Sequence, residues 1–141
     1  MLSRKSIIKS NDDLHRENMQ LIYDYTDVLN GRKYPPEEVT FTRNKKSFTR
    51  MSSGCNVHHL FGRAFAVRWL KENSCILSVY NHFKIPPNGK DSIAISEKLN
   101  GKKITEELQR RQKLGLHYST QELIEINNNL KQLNKELKNG H

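Results

Sequence analysis

Two neighbouring histidines, His58 and His59, are the residues of this chain whose type and spacing best suit chemistry. Adjacent side chains on a strand point to opposite faces, so one histidine can bind a metal ion while the other reaches a substrate. Asn73 follows His59 by 14 residues, and His82 follows Asn73 by nine. This order of His, Asn and His in a basic context suggests metal-dependent cutting of a nucleic acid backbone.

Hydrolysis of a phosphodiester needs an activated water and relief of the charge that develops on the leaving oxygen. We assign His59 as the general base, because a neutral imidazole titrates near the working pH. We assign His58 and His82 as ligands of a divalent metal ion. Asn73 is expected to act structurally, with its side-chain amide bonding the backbone across the loop and fixing the His59 strand. The remaining histidines are interpreted as ordinary surface residues: His15, His117 and His141.

The positive charge of the chain is unevenly placed. The net charge is +9, and the stretch from Val39 to Lys71 contains seven basic residues and no acidic one. A solvated surface normally mixes both signs, whereas a run of one sign suits phosphate binding. Arg63, four residues after His59, could clamp a phosphate with both ends of its guanidinium. The predicted nucleic-acid-binding residues are Arg43, Lys45, Lys46, Arg50, Arg63 and Arg68.

The elements that position these residues predict an α+β fold. A first helix is expected from Asn11 or Asp12 to about Leu29, then a short strand from Val39 to Thr42 and a basic loop or irregular strand from Arg43 to Ser53. Strands at 55–60 and 74–80, followed by a short helix at 81–84, make a ββα unit. We divide the chain into an N-terminal helical segment (1–38), a core (39–115) and a C-terminal amphipathic helix (116–141).

Composition limits the class of protein. The hydrophobic share is 35% and the mean hydropathy is −0.81, so the core of this 141-residue chain must be small. No run of 18 apolar residues exists to span a membrane, and the first residues lack the features of a signal peptide. We therefore expect a cytoplasmic protein. Cys55 and Cys75 are too few for a disulfide framework or a four-cysteine zinc site.

The C-terminal helix carries a heptad-like seam. Ser119 and Glu122 form a capping-box pattern at its start. The leucines and isoleucine behind them follow spacings of three and four: Leu123, Ile126, Leu130, Leu133 and Leu137. Such a seam can form a homodimer or pack on its own domain, and we expect the second.

The chain resembles the HNH endonucleases, in which a ββα-metal unit carries His, Asn and His in this order. Within that group it is most similar to the phage NinG/Rap-type recombination endonucleases, over roughly residues 54 to 137. The similar short motifs are Arg68-Trp69, Asn81-His82-Phe83-Lys84, Asn88-Gly89, Leu99-Asn100-Gly101 and Glu106-Glu107-Leu108. The resemblance implies a DNA endonuclease acting in phage recombination or DNA processing, in the host cytoplasm if phage-encoded. Its partner would be duplex or branched DNA.

By the same resemblance, His59 corresponds to the general base, Asn73 to the motif asparagine and His82 to the closing ligand of a divalent metal ion (Mg, Mn, Ni or Zn). The chain departs from the pattern because it has no Cys-x-x-Cys pair, so no structural zinc is expected. A third metal ligand is open, with Asn81 and Asp91 as the two candidates. The alternative function is a catalytically weak or inactive HNH-derived module that binds nucleic acid or protein.

Overall fold

The computed structural model describes residues 3–140, which form six helices and two separate two-stranded antiparallel sheets. The chain therefore mixes helices and strands, as the sequence predicts. The elements in order are α1 (Arg4–Ile22), β1 (Glu37–Arg43), β2 (Lys46–Ser52), β3 (Cys55–His59), α2 (Phe65–Arg68), β4 (Ser74–Ser78), α3 (Val79–Lys84), α4 (Lys90–Asn100), α5 (Lys102–Gln112) and α6 (Thr120–Asn139). Of the helices in this range, none is long and apolar enough to cross a bilayer.

Helix α1 lies earlier than the predicted first helix. It begins after Ser3, whose hydroxyl accepts the amide N–H of Ser6, and it ends at Ile22 rather than near Leu29. Asp24 and Tyr25 both have positive φ angles (51° and 54°), which no helix tolerates. The amide of Val28 then donates to the carbonyl of Ile76 in β4. The helix thus ends where the backbone turns at Asp24 and Tyr25, and the chain then runs back to the second sheet.

Of the two alternatives predicted for Arg43 to Ser53, a basic loop or an irregular strand, the loop is wrong, because Lys46–Ser52 is the strand β2, which is regular. It pairs with β1 along all seven residues, from Glu37 opposite Ser52 to Arg43 opposite Lys46. A two-residue turn of Asn44 and Lys45 makes this register possible, since both residues have the positive φ that such hairpin turns require (53° and 62°).

The predicted strands of the ββα unit are β3 and β4, which pair antiparallel with His58 opposite Cys75 and His59 opposite Ser74. Strand β4 ends at Ser78 because the hydroxyl of Ser78 accepts the amide N–H of Asn81 and starts α3. Cys75 and Cys55 are buried free thiols. The sheet packs through Cys75 and Leu77 onto Leu60, Phe61 and Val67, where the central core lies.

Helices α1 and α6 pack along each other and unite the two ends of the chain. The predicted capping box of Ser119 and Glu122 is present at the start of α6. Leu123 and Leu130 are buried with Ile7 and Trp69 in a second apolar cluster, so these positions of the heptad-like seam are covered within the chain. The segments 1–38 and 116–141 thus pack on the middle segment through Trp69.

A repeated asparagine network runs between α1 and α6. The amides of Asn11 and Asn18 donate to the carbonyls of Leu123 and Leu130 (3.2 and 3.1 Å). Asn127 and Asn134 donate in turn to the side-chain oxygens of Asn11 and Asn18 (2.8 and 2.9 Å). Each pair recurs after seven residues, so the network fixes which turns of the two helices face each other.

Replacing Asn11 by alanine is expected to destabilise the protein by about 1–3 kcal/mol, since the amide of the buried Asn127 loses one acceptor and a cavity forms. The measurement is urea unfolding followed by circular dichroism. Asn128→Ala is the matched control, because Asn128 is exposed on α6 and its loss should change stability little. Equal midpoints for the two variants would contradict a stabilising network.

Candidate functional site

Asn73 closes the loop that follows β3. Its side-chain oxygen accepts the amide N–H of Phe61 (2.9 Å), and its side-chain amide donates to the carbonyl of Gly62 (3.1 Å). The backbone carbonyl of Asn73 also accepts the N–H of Leu60 (2.7 Å). Asn73 is fully buried. The predicted bonding of its amide across the loop is confirmed, and it holds the end of β3 in place.

The two adjacent histidines point in different directions, as strand geometry predicts. The ring of His58 meets the ring of His82 from α3 edge-on, with 5.5 Å between the centroids. The ring of His59 instead lies against His15 from α1, at 5.7 Å. All four side chains nevertheless line one cleft of about 1060 Å³, together with Arg63. The structure therefore brings the predicted base and both predicted ligands to one place.

A serine defines the tautomer of His58. The hydroxyl of Ser92 donates to the backbone carbonyl of Pro86 (2.9 Å), so it can only accept from His58 Nε2 at 2.8 Å. Nε2 of a neutral His58 therefore carries the proton, and Nδ1 keeps its lone pair. The separation of the rings also suits a shared cation, because two imidazoles bound to one ion at about 2.1 Å have ring centres about 5 Å apart.

The interpretation of His15 as a surface histidine is wrong. His15 is 3% exposed, and its Nε2 lies 2.8 Å from the hydroxyl of Ser74. Its position on α1, four residues after the buried Asn11, is the available signal, but the polar character of that helix face hides it. His117 is exposed, as expected, and His141 lies outside the described residues.

The predicted basic residues separate into three groups. Arg63 is exposed at the cleft. Arg43, Lys45, Lys46 and Arg50 lie on the β1–β2 hairpin and its turn. Arg68 is bound within the chain, because its guanidinium donates to both carboxylate oxygens of Asp12 (2.9 and 2.6 Å) and lies over the ring of Trp69. The prediction that Arg68 binds nucleic acid is therefore not supported by its position.

Asp12 shapes the charge beside the cleft. Burial raises the pKa of its carboxyl, but the hydrogen bonds and charge of Arg68 outweigh that effect and lower the pKa overall. The ring N–H of Trp69 donates to the same carboxylate (2.9 Å). Asp12 is thus an ionised, fully occupied anchor between α1 and α2 rather than an open metal ligand.

The two candidates for a third metal ligand lie away from the cleft. The amide of Asn81 donates to Asp27 (3.0 Å), and Asp91 is exposed in the first turn of α4. Neither lines the cleft. Within residues 3–140, no cluster of three or more histidine, cysteine or acidic side chains is arranged to hold a metal ion. Of the predicted metal ligands, His58 and His82 lie together in the cleft.

The histidines of the cleft are held neutral. Burial lowers the pKa of His59 to about 4, and the neighbouring His15 and Arg63 act in the same direction. Burial likewise lowers the pKa values of His15 and His58 to about 4. Burial and then Arg63 lower the pKa of His82. Neutral imidazoles can bind a cation or accept a proton. A pKa of about 4 for His59 lies well below the working pH, however, so the sequence-based reason for choosing it as the base, a pKa near that pH, is wrong.

These shifts predict acid sensitivity of the metal-free protein. In the unfolded chain the same histidines titrate near 6.5, so between pH 6.5 and 4 the unfolded state binds more protons and stability falls as the pH falls. We expect a loss of up to about 2 kcal/mol per buried histidine from pH 7 to pH 5. Urea unfolding in EDTA at both pH values measures it, and His15→Gln should reduce the loss. Equal stability at pH 7 and 5 would contradict buried neutral histidines.

Comparison with protein-family models, with curated proteins and with solved structures gave no match for this chain.

Proposed function

We propose that this chain is a metal-dependent endonuclease that hydrolyses phosphodiester bonds in DNA, in the manner of an HNH protein with β3, β4 and α3 as its ββα-metal unit. One observation carries the proposal. His58, His59 and His82 share a cleft, while Asn73 fixes the backbone directly behind the histidine strand. Phage recombination or DNA processing is the proposed setting.

His59 is the proposed general base. Its ring is half-buried beside His15 and is neutral at pH 7, so it can take a proton from a water molecule in the cleft. His15 is a positioning residue, because its ring contacts His59 while its Nε2 is bonded to the hydroxyl of Ser74, the residue paired with His59 in the sheet. Arg63 is the proposed phosphate contact, since it is an exposed cation at the cleft.

His58 and His82 would hold a divalent cation, with water completing its coordination. A cation held there would supply charge stabilisation at the leaving oxygen. The fit rests on the separation of the two rings and on the free Nδ1 of His58, which Ser92 enforces. Ser92 and the end of β3 therefore orient the first ligand, and α3 carries the second.

Plasmid cleavage tests the proposal. Supercoiled DNA is incubated with wild-type protein and Mg²⁺, Mn²⁺, Ni²⁺ or Zn²⁺, and the nicked and linear products are quantified. We expect cleavage with at least one of these ions, loss of cleavage in EDTA, and a large reduction in His58→Ala and His82→Ala. His117→Ala is the matched control, because His117 is exposed away from the cleft. Uncut DNA under every metal condition would refute the nuclease.

A second candidate is a module that binds nucleic acid without cutting it. The presence of only two histidine ligands among the residues at the cleft favours it. This candidate predicts that DNA binding in EDTA survives His58→Ala and His82→Ala unchanged, with no cleavage in any metal. The plasmid experiment and a binding titration on the same variants therefore separate the two functions.

A further inference from the structure

The β1–β2 hairpin is a regular ribbon with two different faces. Seven residue pairs in register and a two-residue turn give it a length of about 23 Å. On one face the rings of Phe41 and Phe48 stack at 5.6 Å, and the guanidinium of Arg50 lies over Phe41 at 5.3 Å. On the opposite face, Thr40 and Thr49 face each other. The first face carries the pairs Val39–Arg50, Phe41–Phe48 and Arg43–Lys46.

The ribbon is uncovered in the described chain. Every residue of β1 and all but the last residue of β2 are exposed, and each strand packs extensively only against the other. Phe41 and Phe48 are 39% and 45% exposed. An isolated two-stranded hairpin is marginal in water, and exposed apolar side chains on a projecting element are typical of a binding surface. The exposed face of the hairpin thus has the character of a binding surface for a partner outside residues 3–140.

Charge indicates what that partner is. Arg43, Lys45 and Lys46 surround the turn, and Arg50 lies on the aromatic face. The two acidic residues of the hairpin, Glu37 and Glu38, stand at the opposite end, where β1 begins. In the half of the hairpin nearest the turn, every charged residue is therefore positive. This charge complements a polyanion such as the phosphate backbone of a nucleic acid.

We propose that this hairpin enters the major groove of B-form duplex DNA, which names the substrate class of the proposed nuclease and rests on that function. The major groove is about 12 Å wide and admits a two-stranded ribbon, whereas the minor groove of about 6 Å does not. The major groove of A-form RNA is too narrow and deep for side chains to read. The hairpin thus selects duplex DNA against duplex RNA.

The aromatic pair argues against a single strand as the preferred ligand. Base stacking on a protein needs a free aromatic ring face. Phe41 and Phe48 stack on each other, and Arg50 lies over Phe41, so part of the surface of each ring is occupied within the ribbon. Their apolar edges remain available to thymine methyl groups in the major groove.

The hairpin is joined closely to the cleft. Only Ser53 and Gly54 separate β2 from β3, the strand that ends at His58 and His59. Tyr34 packs against Gly54, where a Cβ atom would lie 3.1 Å from its ring. The hairpin and the histidine strand are thus consecutive elements joined by a short, packed connection.

Fluorescence anisotropy in EDTA tests the inference on intact nucleic acid. The probes are a labelled 30-base-pair DNA duplex, its single strand and the RNA duplex of the same sequence. The hairpin variant is Arg43→Gln, Lys45→Gln and Lys46→Gln together in the full chain. The matched control removes three exposed lysines elsewhere: Lys102→Gln, Lys103→Gln and Lys131→Gln. Circular dichroism melting confirms that both triple variants stay folded, since all six side chains are exposed.

We expect wild type to prefer the DNA duplex to both other probes by about tenfold or more. The hairpin variant should bind the DNA duplex at least about tenfold more weakly than wild type. A plot of its log Kd against log salt concentration should have a slope smaller than that of wild type by about 2.7, because three phosphate contacts are lost. Equal weakening in the two triple variants would overturn the inference, as would equal binding of single strand or RNA duplex.

Failure of this inference and failure of the proposed function are distinguishable. If the plasmid stays intact while the hairpin variant alone loses duplex binding, the nuclease is refuted and the hairpin inference stands. If the hairpin variant binds and cuts as wild type does, the hairpin inference is refuted and the nuclease stands.

Discussion

A His59→Ala variant is expected to cut plasmid DNA about 10²–10⁴ times more slowly than wild type, the usual contribution of a positioned general base. The imidazole of His59 lines the cleft beside Arg63 and is neutral at pH 7, so its removal takes away the proton acceptor. Initial rates of nicking, measured with the metal ion that supports wild-type cleavage, give the ratio. His117→Ala should cut at the wild-type rate.

Metal binding separates a base from a ligand in this variant. Because the ring of His59 faces His15 rather than His82, His59→Ala should bind a divalent cation with nearly wild-type affinity, whereas His58→Ala and His82→Ala should bind it weakly. Titration calorimetry with Ni²⁺ measures the affinities. An unchanged cleavage rate in His59→Ala would remove His59 as the base, and a parallel loss of metal affinity would make it a ligand instead.

Asn73→Ala is expected to cost about 2–6 kcal/mol of folding free energy, because two buried backbone groups lose their partners at about 1–3 kcal/mol each. These groups are the N–H of Phe61 and the carbonyl of Gly62. A loss of this size is a large part of the total stability of a small domain. Urea unfolding gives the difference, with the exposed Asn128→Ala as control.

The same substitution should also loosen the end of β3. Hydrogen exchange is expected to speed up at the amide of Phe61, which donates to Asn73, while amides within α6 keep their protection. A stability loss below about 0.5 kcal/mol, which is typical of a surface substitution, would show that Asn73 does not fix this loop.

Local signals were sufficient for much of the fold. The alternation of side chains around His58 and His59 predicted both the strand and the divergence of the two rings, which the structure confirms. Ser119 and Glu122 predicted the start of α6. The hydrogen bonding of the Asn73 side chain to the backbone across the loop was also predicted. Each of these depends on residues close in sequence or on a short period, which is why the sequence alone was enough.

The β1–β2 hairpin shows where prediction from local sequence patterns fails. Its turn residues, Asn44 and Lys45, are not the asparagine–glycine pair that marks most such turns, so the second strand was predicted only as a loop or irregular strand. The asparagine network between α1 and α6 is a second case. Asn127 bonds Ser10 and Asn11, which lie 117 and 116 residues before it in the chain, so no local pattern could predict these contacts.

By itself, the sequence determined the order of two strands followed by a helix and the uneven placement of positive charge. It also determined which histidines and which asparagine were the candidate site residues. Only the tertiary structure decided that His15 joins His59 in the cleft and that Arg68 is bound to Asp12 rather than free for phosphate. It also decided that Asn81 and Asp91 lie outside the cleft. For His15 and Arg68 the physical reason is that their positions depend on how α1 packs against β4 and α2. These contacts join residues 59 and 56 positions apart, which no local period encodes.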